Sequence, residues 1–188
     1  NLTKLVLVGN QINDVTPLAG LTKLAKLYLP KNQINDVTPL AGLTDLNKLV
    51  LTGNRIADLT PLEGLPQLAR LYLPQNQISD LTPLAKLTNL TTLEIQNNPL
   101  ADLTPLRGLT NLEHLLLASN QITDLAPLTA LRELTNLSLA DNKISDVTPL
   151  TELTNLTELD LRNNPIPLDQ QAILRKALPN CRILLGPR

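Results

Sequence analysis

Residues 21–42 read LTKLAKLYLPKNQINDVTPLAG, and residues 43–64 read LTDLNKLVLTGNRIADLTPLEG. The second stretch repeats the first after a shift of 22 residues. The pattern returns from Leu65, Leu87, Leu109, Leu131 and Leu153, and a copy without its first two positions spans Asn1 to Gly20. Eight copies of one unit at a fixed period signify a solenoid, in which each unit packs only on its neighbours. Within a unit, numbered 1 to 22 from its leading leucine, positions 1, 4, 7, 9, 14, 17 and 20 are aliphatic from Leu21 to Glu152.

The residue types along one unit predict its path. Positions 6 to 10 alternate, as in Lys26-Leu27-Tyr28-Leu29-Pro30, which predicts a short strand with Leu27 and Leu29 inward. The same strand recurring with the same polarity builds a parallel sheet. Position 12 is asparagine in all eight units, from Asn10 to Asn164, where the chain turns into the body. A side-chain amide donates and accepts, so stacked amides can pair the backbone of the units above and below. Their presence in every copy marks a structural role rather than a catalytic or metal-ligating one. The unit then runs Ile-x-Asp-x-Thr-Pro-Leu, as in Ile34 to Leu40. Thr38 is expected as N-cap and Pro39 as first helical residue. The few residues left before the next strand allow one turn of 3₁₀ or α-helix. Asp14, Asp36, Asp58, Asp80, Asp102, Asp124 and Asp146 precede these turns, where a carboxylate is favourable. A calcium ladder is the sharper alternative, but the glycine-rich loops of calcium sites are absent. The fold class is therefore α/β: a solenoid with a parallel sheet along one side and short 3₁₀ or helical turns along the other.

Two stretches depart from the pattern. Leu134-Thr135-Asn136-Leu137 imitates a repeat start three residues out of phase, but counting back from Asn142 keeps the unit at Leu131. After Asn164 the pattern breaks. Asp169 is expected to cap a helix running to about Leu178, with Ile173, Leu174, Ala177 and Leu178 as its apolar side. Pro179 stops it, and Cys181 to Leu185 can lie along the last strand. The expected organisation is eight repeats over residues 1–168 and a C-terminal cap over 169–188. Cys181 reads as a small buried hydrophobe. At the other end Leu2, Leu5 and Leu7 face an uncovered end of the stack, which an upstream segment or another copy is expected to cover. The chain opens at position 3 of a repeat without methionine, as a fragment of a longer protein would.

Composition removes further options. The net charge is −1, so the overall balance names no partner. One cysteine permits no intrachain disulfide, which fits a reducing compartment and is compatible with secretion. No apolar run reaches transmembrane length. Localisation stays open, secreted, cell-surface or cytoplasmic.

The repeat Leu-x-x-Leu-x-Leu-x-x-Asn, seen as Leu24 to Asn32, is that of leucine-rich repeat proteins. Its length and its Asp-x-Thr-Pro-Leu turn resemble the short repeats of bacterial internalins and of similar protein-phosphatase regulatory subunits. The tail Leu178-Pro179-Asn180-Cys181-Arg182-Ile183 is similar to the ends of bacterial members. The resemblance implies a curved α/β solenoid, with its parallel sheet on the concave face and its short helical turns on the convex face, that binds proteins on that sheet; it implies no particular partner.

Specificity should lie where the repeats differ, at the outward positions 6, 8 and 10 and the rim positions 11 and 13. Position 6 reads Lys4, Lys26, Lys48, Arg70, Thr92, His114, Asn136, Glu158, and position 8 reads Val6, Tyr28, Val50, Tyr72, Glu94, Leu116, Ser138, Asp160. The two aromatic residues of the chain, Tyr28 and Tyr72, fall in one column, about 10 Å apart. Repeats one to four carry six cations and no acid on these five positions, whereas repeats five to eight carry four acids against two cations. Like charges opposite one another on neighbouring strands are unfavourable, so stability alone would not select the cation column. Exposed lysine is also ordinary solubilising chemistry, and it is the coincidence with both tyrosines that favours a binding face. The candidate partner-binding residues are Lys4, Lys26, Tyr28, Lys48, Val50, Arg70 and Tyr72, with Glu94 and His114 at the border.

Catalysis is set aside. His114 and Ser138 can be drawn with Glu94 or Asp160 as a nucleophilic set, but no nucleophile elbow, oxyanion hole or water-excluding pocket accompanies them. One histidine and one cysteine in different roles make no metal site, and no cofactor-binding loop is present. Four Asn-x-Thr/Ser triplets follow from the repeat wording itself. The favoured expectation is a non-enzymatic module for another protein with an acidic surface. Nucleic acid or another polyanion on the same cations is the weaker alternative, and a structural spacer whose contacts lie at the open N-terminal end is the third.

Overall fold

Each unit contributes one three-residue strand, and the strands stack in sequence order into one parallel sheet: β1 (Lys4–Val6), β2 (Lys26–Tyr28), β3 (Lys48–Val50), β4 (Arg70–Tyr72), β5 (Thr92–Glu94), β6 (His114–Leu116), β7 (Asn136–Ser138), β8 (Glu158–Asp160) and β9 (Arg182–Leu184). The computed structural model describes residues 1–187; Arg188, the last residue of the expected cap, lies outside them. Register follows the repeat, pairing Leu5 with Leu27, Leu27 with Leu49, and so on. His114 pairs with Asn136, so the misleading Leu134–Leu137 stretch does not shift the phase. The central leucine of each of the first eight strands points inward, and from Leu27 to Leu159 these leucines are fully buried. Leu24, Leu29, Ile34, Val37 and Leu40 complete one layer of a continuous apolar core.

The turns opposite the sheet are 3₁₀ helices, for example Thr38–Leu40 and Thr104–Gly108. Here the sequence expectation needs correction. Thr38 is the first helical residue and Val37 occupies the capping position, with no side-chain bond of its own. The capping bond comes from one residue earlier still: Asp36 Oδ1 accepts the Thr38 N–H at 2.8 Å. An aspartate that bonds the backbone two residues on forms a local turn, which sets the direction of the chain into the helix. The same bond recurs at Asp14, Asp58, Asp80, Asp102, Asp124 and Asp146.

The asparagine column bonds the stack together in one direction. Asn98 Nδ2 donates to Leu73 O of the preceding unit (3.1 Å) and to Ile95 O of its own (3.0 Å), while its Oδ1 accepts the Ile78 N–H of the preceding unit (2.9 Å). The amide therefore reaches its own unit and the one before it, rather than both neighbours. Asn10 has no preceding unit and keeps one bond, to Val8 O at 3.2 Å. One further constraint is common to all units. Position 11 lies in the left-handed region at Gly9, Lys31, Gly53, Gln75, Asn97, Ser119, Asp141 and Asn163, with φ between 55° and 68°. Only two of the eight are glycine, so six non-glycine residues hold a conformation that favours it.

The ends differ from the middle. Leu2 is exposed, and Leu5, Leu7, Ile12, Leu18 and Leu21 are only partly buried, because no unit covers them. At the other end, α1 (Leu168–Ala177) replaces the 3₁₀ turn. Pro167, not Asp169, holds its capping position, and Asp169 sits in the first helical turn, where its charge suits the helix dipole. Leu174 and Leu178 are buried and Ala177 partly so, but Ile173 faces out and is 44% exposed. Cys181 is half-buried against the core rather than fully enclosed. β9 then pairs with β8, Asp160 opposite Leu184, closing the sheet at its last strand.

Candidate protein-recognition surface

Parallel register sets the outward side chains of successive units side by side. Lys4 lies opposite Lys26, Lys26 opposite Lys48, and Lys48 opposite Arg70. In the next column Val6, Tyr28, Val50, Tyr72 and Glu94 follow one another in the same way. Lys4, Lys26, Arg70 and His114 are exposed, whereas Tyr28, Lys48, Val50, Tyr72 and Glu94 are half-buried. Both phenol rings stand on the outer side of the sheet, above the layer of buried leucines.

The cation column resolves its own repulsion by alternating. Lys4 Nζ lies 5.6 Å from the centre of the Tyr28 ring, and Lys48 Nζ lies 5.4 Å from Tyr28 and 4.7 Å from Tyr72. The face of an aromatic ring is the negative side of its quadrupole, so an ammonium held over it is attracted by about 0.5–1 kcal/mol at an exposed site. Lys4 and Lys48 thus lean across to the neighbouring column, and the two columns interlock as Lys4–Tyr28–Lys48–Tyr72. Lys26 and Arg70, the alternate members, lie over no ring and enter no ion pair among the described residues. The signal for this was present in the sequence, since lysine stands at position 6 where the following unit has tyrosine at position 8.

Glu94 ends the positive tract. Burial pushes its carboxyl above the usual range, opposed by a hydrogen bond from Gln96 and by the charges of Lys48 and His114. Gln96 leaves its Oε1 buried without a hydrogen-bond partner. Beyond this point most of the outward acids are engaged within the sheet. Arg162 forks onto Asp160 at 2.9 and 2.7 Å, Arg182 reaches Glu158 at 3.4 Å, and Asn163 Nδ2 donates to Asp141 at 2.6 Å. The surface therefore has a cationic, aromatic half and a half in which Asp141, Glu158 and Asp160 are engaged by neighbouring side chains.

His114 stands between Thr92 and Asn136, and no hydrogen bond joins it to Ser138 among the described residues. No cluster of three or more His, Cys, Asp or Glu side chains suited to a metal ion occurs among the described residues, and no helix there is long and apolar enough to cross a membrane. The Cys181 thiol is pushed up first by burial and then by the charge of Glu158.

One inward-curving parallel sheet, a 22-residue period, an asparagine ladder and 3₁₀ turns define a leucine-rich repeat solenoid. The chain belongs to the leucine-rich repeat family, whose two-copy repeat signature matches residues 1–40, 22–64, 66–108, 110–152 and 132–180. More particularly, its repeats are internalin-like. Internalin C2 of Listeria monocytogenes is similar at 38% identity and a TM-score of 0.91, over 97% of this chain and 80% of that one. Internalin F of the same organism follows at 34% identity and a TM-score of 0.88, over 97% of this chain and 60% of that one. A leucine-rich repeat protein of Leptospira interrogans is 25% identical with a TM-score of 0.69, over 95% of this chain and 59% of that one. No curated protein sequence matches the chain. Folds of this kind generally serve as protein–protein interaction modules.

Proposed function

We propose that the chain is a non-enzymatic recognition module that binds another protein, one with an acidic surface, through the cationic and aromatic half of its concave sheet. The observation that carries this reading is the interlocked row Lys4–Tyr28–Lys48–Tyr72, flanked by Lys26 and Arg70 with their charges uncommitted. Each ring sets a neighbouring ammonium in place before a partner arrives. Less side-chain freedom is then lost on binding, which is how preorganised surfaces gain affinity. Tyrosine and arginine are the residue types that dominate binding energy at such surfaces. Val50 supplies an apolar floor between the rings, and Glu94 and His114 mark the border of the contact. The division into a repeat stack over residues 1–168 and a cap over 169–188 belongs to the same proposal, as does cover of the open N-terminal end by an upstream segment or another copy.

The test is an NMR titration with poly-glutamate as the acidic probe. Shifts confined to the amides of β1 to β5 are expected, and replacing Tyr28 and Tyr72 together by alanine should weaken binding at least about tenfold. Shifts on the convex turns, or unchanged affinity in the double variant, would refute the assignment. A duplex DNA oligonucleotide serves as the comparison. Tighter binding to DNA, with steep loss as salt rises, would favour the polyanion reading instead. Contacts restricted to the open N-terminal end would favour the spacer.

A further inference from the structure

Along their strands, the first four repeats alternate between two versions of the unit, each written twice. The odd units read KLVLVGN (residues 4–10) and KLVLTGN (residues 48–54); the even units read KLYLPKN (residues 26–32) and RLYLPQN (residues 70–76). Differences between odd and even units are kept across 44 residues, while the inward leucines are common to both. Within these segments the differences fall on outward or rim positions. The surface therefore carries one subsite in duplicate: a lysine braced on a ring, a valine, an uncommitted cation and a tyrosine. The first copy is Lys4, Val6, Lys26 and Tyr28, and the second is Lys48, Val50, Arg70 and Tyr72, related by two strands.

Two strands of a sheet span about 9.6 Å, and inward curvature brings the outward tips somewhat closer than that. A ligand that repeats at this distance can satisfy both copies at once. An extended strand returns to the same side every second residue, after about 6.6 Å, and then only at about 13 Å. An α-helix returns near the same side after seven residues, about 10.5 Å. A polyproline-II chain returns every third residue, about 9.3 Å, and is the one regular backbone that falls just under the two-strand spacing. The uncommitted cations Lys26 and Arg70 set the sign of its side chains, since both need anions and neither has one on this surface.

We infer that the concave face of repeats one to four binds an acidic segment in polyproline-II conformation, with carboxylates three residues apart that reach Lys26 and Arg70. Three-residue spacing of prolines also brings ring contacts to Tyr28 and Tyr72, as in other aromatic-lined grooves that hold such chains. This rests on the proposed recognition face and narrows what fits it.

The experiment compares three synthetic peptides of equal charge by fluorescence anisotropy. One is a Glu-Pro-Pro repeat, in which each glutamate precedes proline and is biased to the extended form. The second spaces its glutamates by two in an extended, proline-free chain, and the third by seven in an alanine-rich helix. Each is made with one and with two spaced acids. Lengthening the Glu-Pro-Pro peptide from one acid to two should raise affinity by at least about tenfold, because the second contact becomes intramolecular. That gain should vanish in Lys26→Ala and equally in Arg70→Ala, both surface changes whose folding is checked by circular dichroism. Equal gains for all three peptides would overturn the inference while leaving an acid-binding face intact. A larger gain for the helical peptide would overturn it in favour of a helical partner. Binding of none of them, with poly-glutamate also failing, would remove the recognition face itself.

Discussion

Replacing Asn98 by alanine isolates the bond system that joins one repeat to the next. Asn98 is 6% exposed and makes contacts to Leu73 O, Ile95 O and Gln96 O, besides accepting from the Ile78 N–H. The carbonyls are insured. Leu73 O still receives Asn76 Nδ2, and Ile95 O still receives Asn120 Nδ2. The Ile78 N–H has no such reserve, and Ile78 is fully buried. An orphaned buried donor costs about 1–3 kcal/mol, and each lost bond to an otherwise paired carbonyl adds about 0.5–1 kcal/mol. The expected loss is thus about 2.5–6 kcal/mol. The reference is Asn10→Ala, where one exposed bond is removed and the loss should stay within about 0.5 kcal/mol. Urea unfolding reads both, with the m-value checked because a solenoid can lose cooperativity when one interface weakens. Hydrogen exchange adds a local readout: the Ile78 amide, one repeat before the substitution, should lose protection more than its neighbours. Equal small losses at Asn98 and Asn10, or unchanged protection at Ile78, would refute the directional ladder.

Two further outcomes follow from the turns. The carboxyls of Asp14, Asp36, Asp58, Asp80, Asp102 and Asp146 are held below the ordinary 3.8, first by the hydroxyl and then by the backbone N–H of the threonine two residues on. A depressed folded value stabilises the fold above the unfolded value, and that stability is lost as pH falls through the folded value. Urea midpoints should therefore hold from neutral pH down to about pH 4 and fall below it, with the acid-side slope reduced when these six aspartates become asparagine; a slope that persists would point elsewhere. At position 11, Gly53→Ala should cost about 1 kcal/mol, because its φ is +68°. Ser119→Gly, at φ 57°, should be neutral to stabilising by up to about 1 kcal/mol, and thermal unfolding of the two variants in opposite directions checks the shared conformation.

Most of the fold was legible in the sequence because a solenoid is nearly one-dimensional. A period of 22 fixes which residues become neighbours, so the columns Lys4–Lys26–Lys48–Arg70 and Val6–Tyr28–Val50–Tyr72 could be written down before any coordinates. Alternation set which leucines point inward, and proline with aspartate placed the turns. What the period could not supply was anything that depends on side-chain direction. Thr38 reads as a cap by residue type, yet the bond comes from Asp36, since the chain enters the helix two residues later than the aspartate. The asparagine column is visible in sequence, but that each amide bonds its own unit and the preceding one depends on where the side chain points.

The ends and the columns show the same division. Ile173 belongs to an apolar helical stripe by spacing, but the helix meets the last repeat along a narrower line that includes Leu174 and Leu178 and leaves Ile173 in solvent. The amino-acid order alone determined the repeat, the parallel sheet and which residues share a face, because identical units can stack in only one register. Only the tertiary structure decided that Lys4 and Lys48 lean onto the tyrosines while Lys26 and Arg70 stand free, because each ammonium chooses between its own column and the ring beside it, and that choice is made in space rather than along the chain.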